Sequence, residues 1–85
     1  MFYTYIIFSH KLNKYYIGST ENIQTRIQNH NIGLSNFTAK GIPWELKYFE
    51  LFETRTLAIK REFEIKKKKS RKYIEFLIHN FKPDS

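Results

Sequence analysis

The chain of 85 residues suits one domain, expected to cover residues 1–85, with a modest core. Its 15 Lys and Arg residues against 8 Asp and Glu residues give a net charge of +7. The sequence has no cysteine, which excludes disulfides and thiolate metal sites, and no apolar run as long as a membrane span. It also lacks a signal-peptide pattern, so we expect a cytoplasmic protein with no membrane partner.

The first elements predicted are a hairpin and a helix. Aromatic and β-branched residues from Phe2 to Phe8 occupy both strand phases, which predicts a strand covered on both faces. A polar turn separates it from a second short strand over residues 15–18. Helical spacing covers residues 19–32, and Ser19 or Thr20 is expected to cap that helix.

The second half predicts one strand and two helices. Residues 33–43 hold two glycines and a proline and are expected to form a loop, followed by an aromatic strand over residues 44–53. A helix is expected from its cap Thr54 to about Lys69, and another from its cap Ser70. The order β-β-α-β-α-α predicts an α/β (α+β) fold in which helices cover a small sheet.

Nearly all the excess positive charge lies in residues 60–72, where eight basic and two acidic residues give +6. One interpretation is a solubilising surface helix whose last turn favours cations. The charge density favours a second interpretation, a phosphate-binding patch for nucleic acid. The candidate nucleic-acid-binding residues are Lys60, Lys66, Lys67, Lys68, Lys69, Arg71 and Lys72.

A helical wheel places Glu62 near the middle of an apolar arc. The arc consists of Ala58, Ile59, Phe63 and Ile65. A carboxylate in that position must meet a cation or become neutral. It is therefore either half of an ion pair, with Arg26 or a neighbouring lysine, or a ligand for a hard divalent cation.

Four further side chains are candidates for a polar site. On the first helix, Arg26 lies beside an apolar stripe that His30 continues, and a planar guanidinium suits phosphate oxygens. A histidine in that setting is more often a packing residue. The hairpin is expected to bring Tyr5 close to Tyr16 and Gly18, where glycine permits a close approach.

These residues, in this order, resemble the GIY-YIG endonuclease family. Tyr3-Thr4-Tyr5 and Tyr16-Ile17-Gly18, ten residues apart, resemble its paired motifs, and Arg26 and Glu62 follow at family spacing. The likeness covers residues 2–72 and is greatest to small bacterial stand-alone members. It implies a three-stranded antiparallel sheet flanked by helices, with Gly18 allowing close packing.

The resemblance also implies an activity and a role for each candidate residue. Family members cleave phosphodiester bonds with one divalent ion, so Glu62 is expected to hold Mg²⁺ or Mn²⁺. Tyr5 is expected to orient the site, and Tyr16 to act as general base or to position water. Arg26 is expected to bind the scissile phosphate, and His30 to aid proton transfer.

Two positions depart from the DNA-repair members of the family. Ser19 stands where they carry a lysine, and Ile74 where they carry an asparagine. The main expectation is an endonuclease of low sequence specificity, acting on DNA in a plain, branched or damaged form and linked to repair. The alternative is a nucleic-acid-binding module with weak or no turnover, and a third interpretation is a purely structural or protein-interaction domain.

Overall fold

The aromatic and β-branched run forms the middle strand of the sheet. In the computed structural model, which describes residues 1–83, this strand is β1 (Phe2–Ser9). It pairs antiparallel with β2 (Lys14–Thr20) and β3 (Trp44–Phe52), giving the strand order β2-β1-β3. The expected domain over residues 1–85 also includes residues 84 and 85, which lie outside the described part of the chain.

The helices follow in the predicted order. They are α1 (Ile23–Asn31), α2 (Arg55–Lys68) and α3 (Arg71–His79), and a 3₁₀ turn (Ala39–Gly41) precedes β3. The observed order β-β-α-β-α-α and the three-stranded antiparallel sheet confirm the predicted fold class. Through residue 83, no helix is long and apolar enough to cross a membrane.

The expected N-caps of α2 and α3 are confirmed. The Thr54 hydroxyl accepts a hydrogen bond from the Leu57 amide at 3.2 Å, and the Ser70 hydroxyl accepts one from the Tyr73 amide at 3.1 Å. Such bonds satisfy amides that have no partner inside the helix. The chain can therefore start α3 with only two residues between it and the end of α2.

The expected start of α1 is wrong. Asn22 caps this helix through its Oδ1, which accepts from the Thr25 amide at 3.0 Å. Ser19 and Thr20, the expected caps, instead belong to β2 and pair with β1. Pairing with the middle strand extends β2 and delays the helix to the next residue able to cap it.

Two apolar clusters cover the two faces of the sheet. Both are centred on β1, whose successive side chains point to opposite faces. The first contains Ile6, Ile17, Tyr48 and Ile65, with partly buried residues of α3 packed against them. The second contains Tyr5, Ile7 and Trp44, with Ile23 and Ile27 of α1 packed against them.

The buried side of α2 differs from the apolar arc that the wheel describes. Ala58 and Ile65 are buried, whereas Ile59 is 36% exposed and Phe63 61% exposed. The Glu62 side chain is only 15% exposed and lies on the covered side. The expectation that Glu62 points inward therefore agrees with its burial, although two of its expected apolar neighbours face solvent.

Gly18 is required by the ring that lies against it. It pairs with Tyr5 across β1 and β2, so both residues lie at one position of the sheet. A Cβ atom at residue 18 would lie 2.5 Å from the Tyr5 hydroxyl oxygen and 2.7 Å from Cζ. The absence of a side chain on β2 therefore makes the space for the Tyr5 ring.

We expect Gly18→Ala to destabilise the protein by about 1–3 kcal/mol, because the added methyl overpacks a buried ring. Urea unfolding measures this loss as a lower midpoint. Ser19→Ala is the matched control, since it changes the next residue of the same strand without adding an atom. Equal midpoints for Gly18→Ala and the wild type would contradict the close-approach explanation.

Candidate active site

The hydroxyl group of Tyr5 lies at the centre of a hydrogen-bonded chain. Tyr5 is fully buried in β1, so its hydroxyl needs partners within the protein. The oxygen lies 2.9 Å from His30 Nε2 and accepts a hydrogen bond from Arg26 Nε at 3.3 Å. The structure thus brings together three of the predicted site residues, two of them on α1.

Thr38 fixes the proton positions in this chain. Its hydroxyl oxygen lies 2.7 Å from His30 Nδ1 and makes a longer contact, 3.5 Å, to the Ser35 carbonyl oxygen, which can only accept. The consistent assignment is that Arg26 donates to Tyr5, Tyr5 to His30 Nε2, His30 Nδ1–H to Thr38, and Thr38 to Ser35. His30 is then neutral and its second nitrogen is an acceptor.

Burial and charge reinforce this protonation pattern. Burial raises the pKa of Tyr5 to about 12, although the hydrogen bond from Arg26 partly opposes the rise. Burial, and then the nearby Arg26 charge, lower the pKa of His30 below its usual value. The hydrogen bond to Tyr5 raises the pKa of Arg26. At neutral pH the phenol is therefore protonated, the imidazole neutral and the guanidinium charged.

Tyr16, on β2, lies beside this series of hydrogen bonds and is half-buried. Its ring centroid is 5.1 Å from that of His30, 6.3 Å from that of Trp44 and 6.0 Å from that of Phe37. The ring is held edge-on by its neighbours, while part of its surface faces outward. Tyr16 is thus the more accessible of the two site tyrosines.

Glu62 approaches the tyrosines from α2. Its carboxylate accepts from Lys66 Nζ at 2.5 Å, and that ammonium lies 5.9 Å from the centre of the Tyr16 ring. The charge of Glu62 also contributes, as a smaller effect, to the raised pKa of Tyr5. The ion-pair interpretation from the sequence is thus observed, with a neighbouring lysine rather than Arg26 as the partner.

Within the described part of the chain, Glu62 does not belong to a cluster of three or more metal-ligating side chains. Across residues 1–83, no three His, Cys, Asp or Glu side chains are placed to hold an ion together. A divalent ion at Glu62 would therefore take its remaining ligands from water and from a substrate. Mg²⁺ commonly binds in that way.

The basic run, residues 60–72, does not form one uniform surface. α2 ends at Lys68, and Lys69 adopts a left-handed conformation with φ of 48°, so the four consecutive lysines 66–69 do not share one continuous helix. Lys60, Lys67 and Lys72 are exposed. Lys68 lies over the Tyr73 ring, 5.1 Å from its centroid.

Arg71 joins α3 to the hairpin turn. Its terminal nitrogens donate to the Asn13 backbone oxygen at 2.9 Å and to the Asn13 side chain at 2.8 Å, and its Nε donates to Glu75 at 3.1 Å. The guanidinium also lies over the Tyr15 ring. Any contact of Arg71 with nucleic acid would therefore compete with, or add to, these bonds.

A cleft of about 280 Å³ lies between the hairpin and the junction of α2 with α3. Its cationic lining residues are Lys14, Lys66, Lys69 and Arg71. Sequence reasoning missed Lys14 and Thr38. Lys14 lies outside the basic run, and nothing in the local pattern of the loop marks Thr38 as a partner of a histidine on α1.

We expect folding stability to fall as the pH drops below about 6.5, because the unfolded chain then binds a proton at residue 30 that the native chain binds less readily. Protonation would also remove the acceptor that Tyr5 uses. Urea unfolding at several pH values between 7.5 and 5 measures the effect. The slope of the unfolding free energy against pH should be smaller in His30→Gln than in the wild type. It should be unchanged in His79→Gln, which alters an exposed histidine. Equal slopes in the wild type and His30→Gln would contradict the assignment.

Comparisons with known proteins found a matching family and several relatives. A family model described as the GIY-YIG catalytic domain matches residues 1–74. A UPF0213 protein of Staphylococcus haemolyticus (strain JCSC1435) is 40% identical over 65 residues, which span 75% of this chain and 78% of that protein.

Two other relatives match a shorter stretch of 52 residues, or 60% of this chain. UPF0213 proteins of Haloquadratum walsbyi and Staphylococcus aureus (strain Mu3) are 40% and 38% identical there, over 58% and 63% of their own lengths. No solved structure matches significantly. Since the family model covers most of the chain, the protein belongs to the GIY-YIG family of nuclease-type domains.

Proposed function

We propose that this domain is an endonuclease that hydrolyses DNA phosphodiester bonds with one divalent metal ion and low sequence specificity. The observation that carries the proposal is the convergence of Arg26 and His30 on the hydroxyl group of Tyr5, beside Tyr16. Phosphoryl chemistry needs fixed positive charge and a positioned proton acceptor. The natural substrate in this proposal is branched or damaged DNA in a repair process.

The surroundings of Glu62 fit a divalent ion. The carboxylate is mostly buried and already accepts an ammonium group, that of Lys66, so a cation at this oxygen is favourable. Oxygen ligands are what Mg²⁺ and Mn²⁺ prefer. A bound ion would neutralise charge that develops on the phosphate and polarise its oxygens.

Arg26 and Tyr5 supply orientation in this proposal. Tyr5 holds one guanidinium nitrogen, so the plane of the Arg26 side chain is fixed and its remaining N–H groups can bind phosphate oxygens. With its pKa raised to about 12, Tyr5 keeps its proton at neutral pH and serves as a hydrogen-bond donor. We therefore assign Tyr5 a positioning role rather than that of a base.

Tyr16 and His30 handle the proton of the attacking water. Tyr16 is accessible and lies against the imidazole, so its hydroxyl can position the water or, in its ionised form, accept a proton from it. His30 is neutral and aids proton transfer indirectly, because its Nε2 accepts from the Tyr5 hydroxyl and holds that group in place while Tyr5 keeps its proton. Hydrolysis then adds water across the phosphorus–oxygen bond, and the ester oxygen leaves as a hydroxyl group.

The cationic cleft beside β2 supports binding of a polyanion. Lys14, Lys66, Lys69 and Arg71 line it, and an apolar floor lies below them. Contacts from lysine and arginine to phosphates do not distinguish one base from another. Low sequence specificity follows from such contacts.

One observation favours the alternative, a binding module with weak or no turnover. Ile74, where related repair enzymes were expected to carry an asparagine, packs against the apolar cluster between the sheet and α3. Ser19 is a paired residue of β2 and brings no positive charge. The chain thus lacks two polar groups that the resemblance associates with the DNA-repair members of the family.

We expect wild-type protein to nick plasmid and branched DNA in Mg²⁺ or Mn²⁺, and Glu62→Gln to reduce the rate by at least about a hundredfold, because a charge-stabilising group is removed. Glu64→Gln, on the exposed side of the same helix, should keep the wild-type rate. Binding of DNA without nicking by the wild type would instead support the binding module.

Metal binding can be checked apart from cleavage. Mn²⁺ added to the protein alone should broaden the NMR signals of Tyr5 and Tyr16, since the charge of Glu62 acts on Tyr5 and its partner Lys66 lies over the Tyr16 ring. The broadening should be absent in Glu62→Gln and present in Glu64→Gln. Broadening centred on another part of the chain would remove Glu62 as the metal ligand.

We expect the basic run to contribute salt-dependent binding. Removing the charge that meets one phosphate should reduce the slope of log affinity against log salt by roughly 0.9, so Lys68→Gln/Lys69→Gln should lower it by about 2. Fluorescence anisotropy with several unrelated duplexes measures this slope. The matched control is Lys11→Gln/Lys47→Gln. An equal change in both variants would show that net charge, rather than the run, determines binding.

A further inference from the structure

Three aromatic rings form a ledge next to the candidate active site. The aromatic ledge consists of Tyr16, Phe37 and Trp44. Phe37 is 84% exposed, although the centroid of its ring lies only 6.0 Å from that of Tyr16, with 56° between the ring planes. One aromatic face is therefore presented to solvent beside a site residue.

The loop holds Phe37 in place through its neighbours. Thr38 is buried, its side chain bonds to His30, and its backbone oxygen accepts from Trp44 Nε1 at 2.7 Å. Asn31 closes the same loop by accepting from the Trp44 amide at 2.6 Å and donating to its backbone oxygen at 3.0 Å. Thr38, the residue next to Phe37, is thus held by the same series of hydrogen bonds that includes His30 and Tyr5.

The cleft in front of the ledge carries positive charge. It has a volume of about 320 Å³, and Lys14 and Lys40 lie at its edge. No acidic side chain lines it, and neither lysine takes part in the ion pairs found in the described part of the chain. An aromatic surface that shares a cleft with two cations complements a base and its neighbouring phosphates.

We infer that the aromatic ledge binds one unpaired nucleobase, stacked on Phe37 beside Tyr16, while Lys14 and Lys40 contact the phosphates on either side. This inference rests on the proposed function in that it names the form of nucleic acid the same site receives. Every base has a flat face that can stack on an aromatic side chain, so the ledge needs no particular sequence.

A base inside a duplex already stacks on its neighbours and has no free face to offer. The ledge should therefore favour a single strand, or a duplex with an extra unpaired base, over a perfect duplex. Its position beside Tyr16 would place the phosphate next to the unpaired nucleotide at Arg26. The site would then cleave close to an unpaired base rather than at a fixed sequence.

The test measures binding without metal ions, in EDTA, so that no cleavage occurs. Fluorescence anisotropy compares three oligonucleotides: a single strand, a duplex with one bulged base and a perfect duplex. Phe37→Ala should weaken binding of the single strand by about tenfold, within the range known for removal of one stacking ring. Binding of the perfect duplex should change less than about twofold, as expected if no base stacks on the ledge.

A matched control distinguishes stacking from a general reduction of apolar surface. Phe76 is 60% exposed on α3, which covers the opposite face of the sheet. Phe76→Ala should leave all three affinities unchanged, and Phe37→Trp should bind the single strand as tightly as the wild type does. 2-Aminopurine placed in the single strand or in the bulge should be quenched by wild-type protein and not by Phe37→Ala.

Comparing the single strand with the bulged duplex shows which kind of nucleic acid supplies the unpaired base. Weaker binding of the single strand alone assigns the ledge to single-stranded substrates, and a parallel weakening for the bulged duplex assigns it to unpaired bases in either setting. Equal binding by Phe37→Ala and wild type would overturn the inference. So would a change from dimer to monomer in Phe37→Ala by sedimentation, since a second copy would then occupy the ledge.

The experiments distinguish an error in the inference about the aromatic ledge from an error in the proposed function. If Phe37→Ala binds normally while wild type still nicks plasmid in a Glu62-dependent way, only the ledge is wrong. If wild type does not nick DNA but Phe37→Ala loses single-strand affinity, the ledge stands on a binding module without turnover.

Discussion

The site depends on one buried hydroxyl group in the middle strand. Tyr5 is fully enclosed between the sheet and α1, so its oxygen must be satisfied by protein groups, and Arg26 and His30 provide them. Because His30 is also held by Thr38, the same chain of bonds joins β1, α1 and the following loop. Removal of the Tyr5 or Thr38 hydroxyl would leave a nitrogen of the buried His30 ring without its partner, which couples the members of the arrangement.

The register between β1 and β2 leaves the space that the Tyr5 hydroxyl group occupies. Gly18 lies opposite Tyr5 and leaves room for the phenol, while Tyr16, two residues earlier on the same strand, points to the same face. The two tyrosine motifs are thus one structural unit, in which one strand supplies the buried ring and the other supplies both the space and the accessible ring. α2 then adds Glu62 from the edge of this unit.

The sequence predicted the parts of the fold that local chemistry determines. The order of elements and the caps Thr54 and Ser70 follow from periodicity and hydroxyl groups at helix starts. The start of α1 was missed because strand pairing extends through Thr20, which is a tertiary effect. Ile59 was assigned inward because a wheel shows which apolar residues cluster, whereas the sheet decides which side of the cluster is covered.

The Glu62–Lys66 pair links metal binding to substrate binding under the proposed function. A single carboxylate gives a divalent ion few protein ligands, and here the ion must also displace an ammonium group. Phosphate oxygens would supply the missing ligands and at the same time offer the released Lys66 a new partner. The charge balance therefore predicts that the ion binds the free protein and is held more tightly once a phosphate is present, and it makes cleavage depend on correct placement of the substrate.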